Sequence, residues 1–186
     1  MLKYEKELVL AQDDLDEKGY VTASRLFRFF EDVSIDHVES MGMGFDDLIK
    51  KDYIWVLSKL KYEAYARMDS DENYIIATYP RPKKAVTFGR DYCIYDSSGN
   101  IVLAGTSQWC ILNFKTRKIE RTGITFDGEF FKGLPLDGRF EKIHGNDMKL
   151  IKTHVVTESD LDNNNHVNNC RYVDFVCEIT GQKTFS

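Results

Sequence analysis

Residues 22–44 read TASRLFRFFEDVSIDHVESMGMG, and this stretch decides the fold. Apolar side chains recur in it at spacings of three and four residues, which is typical of a helix with one buried face. That stripe consists of Leu26, Phe30, Val33, His37 and Met41. Thr22 is suited to cap the start of the helix. Gly42 and Gly44 predict its end, because glycine tolerates the left-handed backbone of a helix stop.

Runs rich in β-branched and aromatic residues surround this helix and predict antiparallel strands. One run precedes the helix at residues 4–10, and the others follow it at residues 53–66, 73–79, 85–95 and 101–114. The segment DSSGN at 96–100 is a tight-turn signal, so the last two runs should form a hairpin. The single long helix is the only cover available for this sheet. The sequence therefore predicts an α+β hotdog fold, in which an antiparallel sheet wraps around a central helix.

The composition argues against several classes of protein. The 186 residues are 42% hydrophobic and 30% charged, which is typical of a soluble globular protein. The formal net charge of −5 argues against nucleic acid as a partner. No apolar run is long enough to span a membrane, and charged residues interrupt the first ten positions, where a secretory signal would lie. The four cysteines form no C-x-x-C pair, so we predict no zinc site and free thiols in the cytoplasm.

Residues 116–148 predict a connection between two domains. Five glycines and a proline fall close together there, and no helical or strand period is sustained. A structureless connection of this length is unusual inside one compact domain. We therefore predict a first domain at residues 1–120, a linker at 121–148 and the start of a second hotdog domain at 149–186.

An internal repeat supports two units of one kind. Residues 14–16 and 160–162 both read DLD, and the same shift of 146 positions matches further identical residues. Those matches are Val21 with Val167, Arg25 with Arg171 and Phe29 with Phe175. Chance similarity between two helical patterns is the alternative explanation. Since Ser186 corresponds to position 40, the second unit is expected to lack its strands and to be incomplete.

The two copies differ at residues that can carry chemistry. In the second copy Asn164 replaces Lys18 and His166 replaces Tyr20, close to Asp162. Alternate residues of an extended backbone project to one side, so the three polar side chains are predicted to converge before a helix N-terminus. A polar turn with an Asn-rich helix cap is the alternative interpretation.

A carboxylate, an amide and an imidazole suit the hydrolysis of a thioester. His166 or Asp162 can act as the base that activates water. Asn164 can orient the water or the carboxylate, and backbone N–H groups at a helix start can stabilise an oxyanion. No metal or redox cofactor is required.

Other candidate residues have a structural interpretation beside the functional one. Cys170 can form a nucleophile with His166, although a buried thiol fits its helical position better. His37 is either a core histidine or part of a pocket lining. Trp55 fits packing within the sheet.

Basic residues cluster in two places. They form either solvated turns or a landing surface for an acidic protein. The clusters are Arg81, Lys83 and Lys84, and Lys115, Arg117, Lys118 and Arg121.

Residues 160–172, DLDNNNHVNNCRY, resemble the active-site motif of bacterial and plant acyl carrier protein (ACP) thioesterases. The stretch WVLSKLKYE at 55–63 resembles a strand of that family's first domain. Ser107-Gln108-Trp109, followed by Thr116-Arg117-Lys118, resembles a third landmark. The likeness runs from about residue 3 to about residue 178.

The resemblance implies two tandem hotdog domains that hydrolyse fatty acyl-ACP to free fatty acid and carrier protein, which terminates fatty acid synthesis. It carries catalytic roles onto Asp162, Asn164 and His166. It also implies an acidic carrier protein as the partner, no nucleic acid or membrane partner, and no cofactor. A homo-oligomer is expected.

The acyl chain is expected around the central helix of the first domain, with Phe30, His37 and Trp55 as the predicted substrate-binding residues. The family's second domain supplies a further catalytic glutamate, and Glu178 does not match its position, so a shortened chain with uncertain activity is expected. Two alternatives stay open: an acyl-binding or carrier-binding module without full activity, and a dimeric acyl-CoA thioesterase.

Overall fold

The structure is a computed structural model that describes residues 2–131, 136–142, 145, 148–162 and 166–181. Its main elements are β1 (Tyr4–Leu8), α1 (Ala23–Ser40), α2 (Phe45–Ile49), β2 (Tyr53–Ala64), β3 (Tyr74–Pro80), β4 (Thr87–Tyr95), β5 (Ile101–Asn113) and α3 (Asn169–Thr180). Each strand begins and ends within two residues of its predicted bounds.

The chain forms two compact units. One consists of Met1–Val9, Phe29–Ala66 and Glu72–Phe140 and contains all five strands; we call it the sheet unit. The other consists of Leu10–Arg28, Arg67–Asp71 and Glu141–Ser186; we call it the loop unit. The domain boundaries predicted at residues 120 and 148 divide the chain into consecutive segments, whereas each of these units combines three separate segments. The predicted boundaries therefore stay a prediction.

The sheet is antiparallel throughout, with the strand order β1-β3-β4-β5-β2. β4 and β5 form the predicted hairpin. Asp96 closes its turn, because the Asp96 Oδ1 atom accepts the Asn100 N–H at 2.8 Å. Gly99 has a φ of +82°, which residues with a side chain rarely adopt. The hairpin prediction is confirmed.

The middle of the apolar stripe of α1 is buried against the sheet. Phe30 and Val33 are fully buried, and the Phe30 ring centroid lies 4.5 Å from that of Tyr92. Helix and sheet approach closely at Gly105 of β5, where an added Cβ would lie 2.9 Å from the Phe30 ring. The α+β hotdog prediction is therefore confirmed for the sheet unit.

The end of α1 differs from the prediction in one detail. Gly42 has a φ of +67°, and its N–H bonds to the Glu39 carbonyl at 3.0 Å, so it is the left-handed stop. Gly44 has a φ of −72° and occupies the N-cap position of α2, so its predicted role as a left-handed stop was wrong. Helix α2 was not predicted, because five residues are too few to show a helical period.

Helix α3 carries an apolar stripe that is exposed in the described part of the chain. Shifted by 146 positions, its side chains correspond to the buried Leu26, Phe30 and Val33 of α1. They are Tyr172, Val176 and Ile179, which are 58%, 55% and 42% exposed. None of the described helices has the length and apolar character needed to cross a lipid bilayer.

Candidate active site

Two loops of the loop unit, residues 14–22 and 160–168, share several backbone hydrogen bonds among the residues that the structure describes. We call them the first loop and the second loop. In the first matched pair, Asp16 N donates to Tyr20 O and Asp162 N donates to His166 O, both at 2.8 Å. In the second, Thr22 N donates to Asp14 O at 3.0 Å and Asn168 N donates to Asp160 O at 2.9 Å. Antiparallel bridges also match, between Leu15 and Val21 and between Leu161 and Val167.

A buried aspartate anchors each loop. Asp14 and Asp160 are 2% and 1% exposed, and an arginine eleven residues later binds each of them. Arg25 forms an ion pair with Asp14, and Arg171 Nε donates to Asp160 Oδ1 at 2.9 Å. Chance similarity would not reproduce these contacts, so the internal repeat is confirmed for the two loops.

The second loop brings Asp162 and His166 together. The Asp162 Oδ1 atom accepts the His166 N–H at 3.0 Å, and the Asp162 N–H donates to the His166 carbonyl at 2.8 Å. These bonds hold the two residues next to each other; the extended backbone predicted between them lies partly outside the described residues and stays a prediction. Asp162 is half-buried and His166 is exposed. Asn164, the third predicted catalytic residue, lies outside the described residues.

Helix α3 begins directly after this loop, with Asn168 as its N-cap. The Asn168 side-chain oxygen accepts the Cys170 N–H at 2.9 Å, and its carbonyl oxygen accepts the Arg171 N–H at 3.0 Å. These two N–H groups are thus bonded within the chain and do not face a substrate in this conformation. Cys170 is 9% exposed, which agrees with its interpretation as a buried thiol.

The second loop has polar contacts that the first loop lacks. His154 Nε2 donates to Asp160 Oδ2 at 2.8 Å, and the Thr157 hydroxyl donates to the same oxygen at 3.0 Å. The equivalent positions in the first copy are Leu8 and Ala11. An ionised carboxylate only accepts hydrogen bonds, so Nε2 carries the imidazole proton. His154 was not among the predicted site residues; the repeat, which marks Asp160 as an anchor, is the signal that could have found it.

This cluster predicts an acid-sensitive loop. Hydrogen bonds from His154 and then from the Thr157 N–H hold the pKa of Asp160 well below its usual value. A lowered folded-state pKa adds stability above the unfolded pKa of about 3.9, and this stability is lost as the pH falls below it. We expect Asp160→Asn to lower the melting temperature at neutral pH. The melting temperature of this variant should also decrease less between about pH 5 and pH 3 than that of the wild type. Circular dichroism melts across this range test it, with the exposed Asp127→Asn as control. An unchanged acid slope would contradict the prediction.

The sheet unit contains an apolar cavity beside α1. About 340 Å³ of empty space, part of it open to solvent, is lined mainly by Val38, Trp55, Phe88, Trp109 and Phe126. Trp55 packs edge-on against Phe88 with ring centroids 4.8 Å apart. A cavity with such walls suits an apolar chain.

The three predicted substrate-binding residues differ in their relation to this cavity. Trp55 lines it, whereas Phe30 and His37 are 0% and 4% exposed and are not among its lining residues. Burial and the charge of Arg90 lower the pKa of His37 to about 4, and its Nδ1 atom lies 2.9 Å from Arg90 Nη1. His37 is thus a neutral, hydrogen-bonded core histidine. The substrate-binding roles of all three residues stay predictions.

The two basic clusters differ in exposure. In the first, Arg81 pairs with Asp91 at 2.6 Å, and Lys83 donates to the Thr122 carbonyl at 2.5 Å. In the second, Lys115, Arg117, Lys118 and Arg121 are all exposed, and Lys115 pairs with Asp52 at 2.9 Å. The second cluster is therefore the better candidate for a landing surface.

The described residues contain no group of three or more His, Cys, Asp or Glu side chains that could hold a metal ion. The four cysteines are buried free thiols. Burial raises the pKa of Cys93, Cys110 and Cys177, which disfavours their reactive thiolate form.

Known proteins resemble this chain along most of its length. Residues 1–125 match the model of the acyl-ACP thioesterase N-terminal domain, and residues 143–186 match that of the C-terminal domain. The chain is 27% identical over 175 residues to the chloroplastic acyl-ACP hydrolase FATB3 of Cuphea viscosissima, covering 86% of this chain and 42% of that protein. It is 23% identical over 202 residues to the chloroplastic oleoyl-acyl carrier protein thioesterase 1 of Arabidopsis thaliana, covering 98% and 56%. It thus spans about half the length of these curated relatives.

A solved crystal structure has a similar fold. The acyl-ACP thioesterase of Bacteroides thetaiotaomicron matches with a TM-score of 0.84 at 22% identity, over 95% of this chain and 73% of that one. The family model of the N-terminal domain alone covers more than half of the 186 residues. The chain therefore belongs to the acyl-ACP thioesterase family.

Proposed function

We propose that this chain hydrolyses fatty acyl-ACP thioesters to free fatty acid and acyl carrier protein, which would end chain elongation. The observation that carries the proposal is a difference between two loops whose described residues share backbone hydrogen bonds. The second loop holds Asp162 against His166, where the first loop has Asp16 and Tyr20. The names of the curated relatives, an acyl-ACP hydrolase and an oleoyl-ACP thioesterase, support the same activity.

In this proposal the second loop provides the base that activates water. The Asp162 carboxylate accepts the His166 N–H, which fixes it beside the residue that carries the imidazole. Either group can remove a proton from water as it attacks the thioester carbonyl. Asn164 would orient the water or the carboxylate. The leaving group is the thiol of the carrier's prosthetic arm, and no metal or redox step is needed.

The acyl chain would occupy the cavity of the sheet unit. Its aromatic and aliphatic walls exclude water from a bound chain, and each buried methylene contributes about 0.8 kcal/mol. The carrier protein would contact the exposed cluster of Lys115, Arg117, Lys118 and Arg121, because opposite charges steer an acidic partner. The cytoplasmic location and the homo-oligomeric state inferred from the sequence remain part of the proposal.

Assays of the purified chain with acyl-ACP and acyl-CoA of matched chain length test the proposal. We expect turnover of acyl-ACP with a higher kcat/KM than for acyl-CoA, measured as release of free thiol. Preference for acyl-CoA would favour the dimeric acyl-CoA thioesterase. Binding of acyl-ACP without turnover would favour a binding module.

Reversing charge in the exposed cluster should weaken recognition of the carrier. We expect Lys118→Glu combined with Arg121→Glu to lower kcat/KM for acyl-ACP by about tenfold at low salt, with a smaller effect at high salt. An uncharged acyl-pantetheine substrate should be unaffected, since it lacks the acidic carrier. Arg139→Glu, at another exposed arginine of the sheet unit, is the matched control. Equal losses for both substrates would exclude a docking role.

A further inference from the structure

Arg90 of β4 is a buried cation at the wall of the apolar cavity. It is 3% exposed and lines the cavity. Its guanidinium carbon lies 5.7 Å from the ring centroid of Phe126, another lining residue. Burial lowers the pKa of Arg90 to about 10, so the group still carries its charge at neutral pH. A charge in such surroundings needs an explanation, because buried charges are normally paired.

The described contacts of Arg90 do not neutralise it. Its Nη1 atom lies 2.9 Å from His37 Nδ1 and donates to Thr78 Oγ1 at 3.1 Å. Both partners are neutral, since His37 is uncharged near pH 7. The neighbouring Asp91 side chain pairs with Arg81, and successive strand residues point to opposite faces.

One nitrogen of the guanidinium, with its two N–H groups, remains unpaired in the part of the chain that the structure describes. Arg90 Nη2 is buried and has no hydrogen-bond partner within the described residues. A buried N–H group of a cation is costly when it lacks an acceptor, whereas a hydrogen bond to a charged donor is stronger than one between neutral groups. The apolar walls of the cavity supply carbon surface, and Arg90 Nη2 supplies charged N–H donors. A ligand that fits both has a hydrocarbon chain with an oxygen acceptor on it.

We propose that the cavity selects acyl chains that carry an oxygen substituent, a hydroxyl or a keto group, whose oxygen accepts the Arg90 Nη2–H. The proposal rests on the proposed function for the acyl chain's place in the sheet unit, and it adds the substrate class. Arg90 would act as a specificity-determining residue with no part in the hydrolytic step. An unsubstituted chain would leave the donor without a partner or with water alone.

Binding can be measured without hydrolysis, because Trp55 and Trp109 are the only two tryptophans of the chain and both line the cavity. The probe is dodecanamide, which is uncharged and is not a thioester, beside isomers that are hydroxylated at successive chain positions. Titration of the whole chain is followed by tryptophan fluorescence. We expect at least one hydroxylated isomer to bind about tenfold more tightly than dodecanamide.

The variant Arg90→Met tests whether the arginine causes this preference. We expect the preference to disappear while binding of plain dodecanamide is retained or improved. Arg139→Met, at an exposed position, should keep the wild-type preference. Circular dichroism shows whether Arg90→Met folds; if it does not, the comparison of isomers on the wild-type chain decides alone.

Two outcomes would overturn the inference. The first is that every hydroxylated isomer binds the wild-type chain no more tightly than dodecanamide does. The second is that the preference for a hydroxylated isomer persists in folded Arg90→Met. The inference and the proposed function fail separately. Tighter binding of a hydroxylated isomer without acyl-ACP turnover would contradict only the hydrolytic function. Acyl-ACP turnover without tighter binding of any hydroxylated isomer would contradict only the role of Arg90.

Discussion

Replacing Asp162 by alanine is expected to lower kcat for acyl-ACP hydrolysis by about a hundredfold or more. The reason is chemical, because the variant loses the carboxylate that lies beside His166 in the second loop. His166→Ala should cause a loss of the same order, since the two groups are proposed to activate one water. The combined variant should be little worse than either single variant, as is usual for residues that act as a unit.

The repeat provides an internal control for this experiment. In the first loop Asp16 Oδ1 accepts the Lys18 N–H at 2.8 Å and the Tyr20 N–H at 3.0 Å, so Asp16→Ala removes the same kind of backbone contact. That variant should keep kcat, because the first loop lacks the imidazole. Melting temperatures should fall similarly in the two variants. Equal losses of activity would mean that Asp162 only stabilises its loop, and full activity of Asp162→Ala would exclude it from catalysis.

The elements that sequence could predict are those in which a local pattern reports burial. The stripe through Phe30 identified α1, because an amphipathic helix must turn one face to the core. The turn at 96–100 identified the hairpin, because an Asx-type turn with glycine encodes its own geometry. In both cases the information lies within one element.

The polar loop was harder to predict because its shape depends on side-chain to backbone hydrogen bonds. Alternation of Asp162, Asn164 and His166 suggested an extended backbone, but it gave no sign that the Asp162 carboxylate accepts the His166 N–H. His154 was missed for a related reason, since its side chain contacts Asp160 six residues further along the chain. The unmatched donor of Arg90 also has no sequence signal, because it follows from what the neighbouring strands and helix leave unpaired.

Truncating Phe30 to alanine should destabilise the sheet unit by about 3–5 kcal/mol, the usual cost of removing a fully buried aromatic side chain. Phe30 is 0% exposed, and its ring contacts Tyr92 of β4 and Gly105 of β5. Total stabilities of single domains are about 5–15 kcal/mol, so this one change removes a large part. Equilibrium unfolding in urea measures the loss. A loss below about 1 kcal/mol would contradict the central place of this ring in the core.

Gly105 tests the same contact from the opposite side. An added Cβ would lie 2.9 Å from the Phe30 ring and 3.3 Å from that of Tyr92, so Gly105→Ala should cost about 1–3 kcal/mol through overpacking. In a Phe30→Leu background the smaller side chain makes room, and the same Gly105→Ala change should cost less. The double-mutant cycle should therefore show a favourable coupling of about 0.5–3 kcal/mol. Additive losses would mean that Gly105 is required for its backbone and not for the approach of helix to sheet.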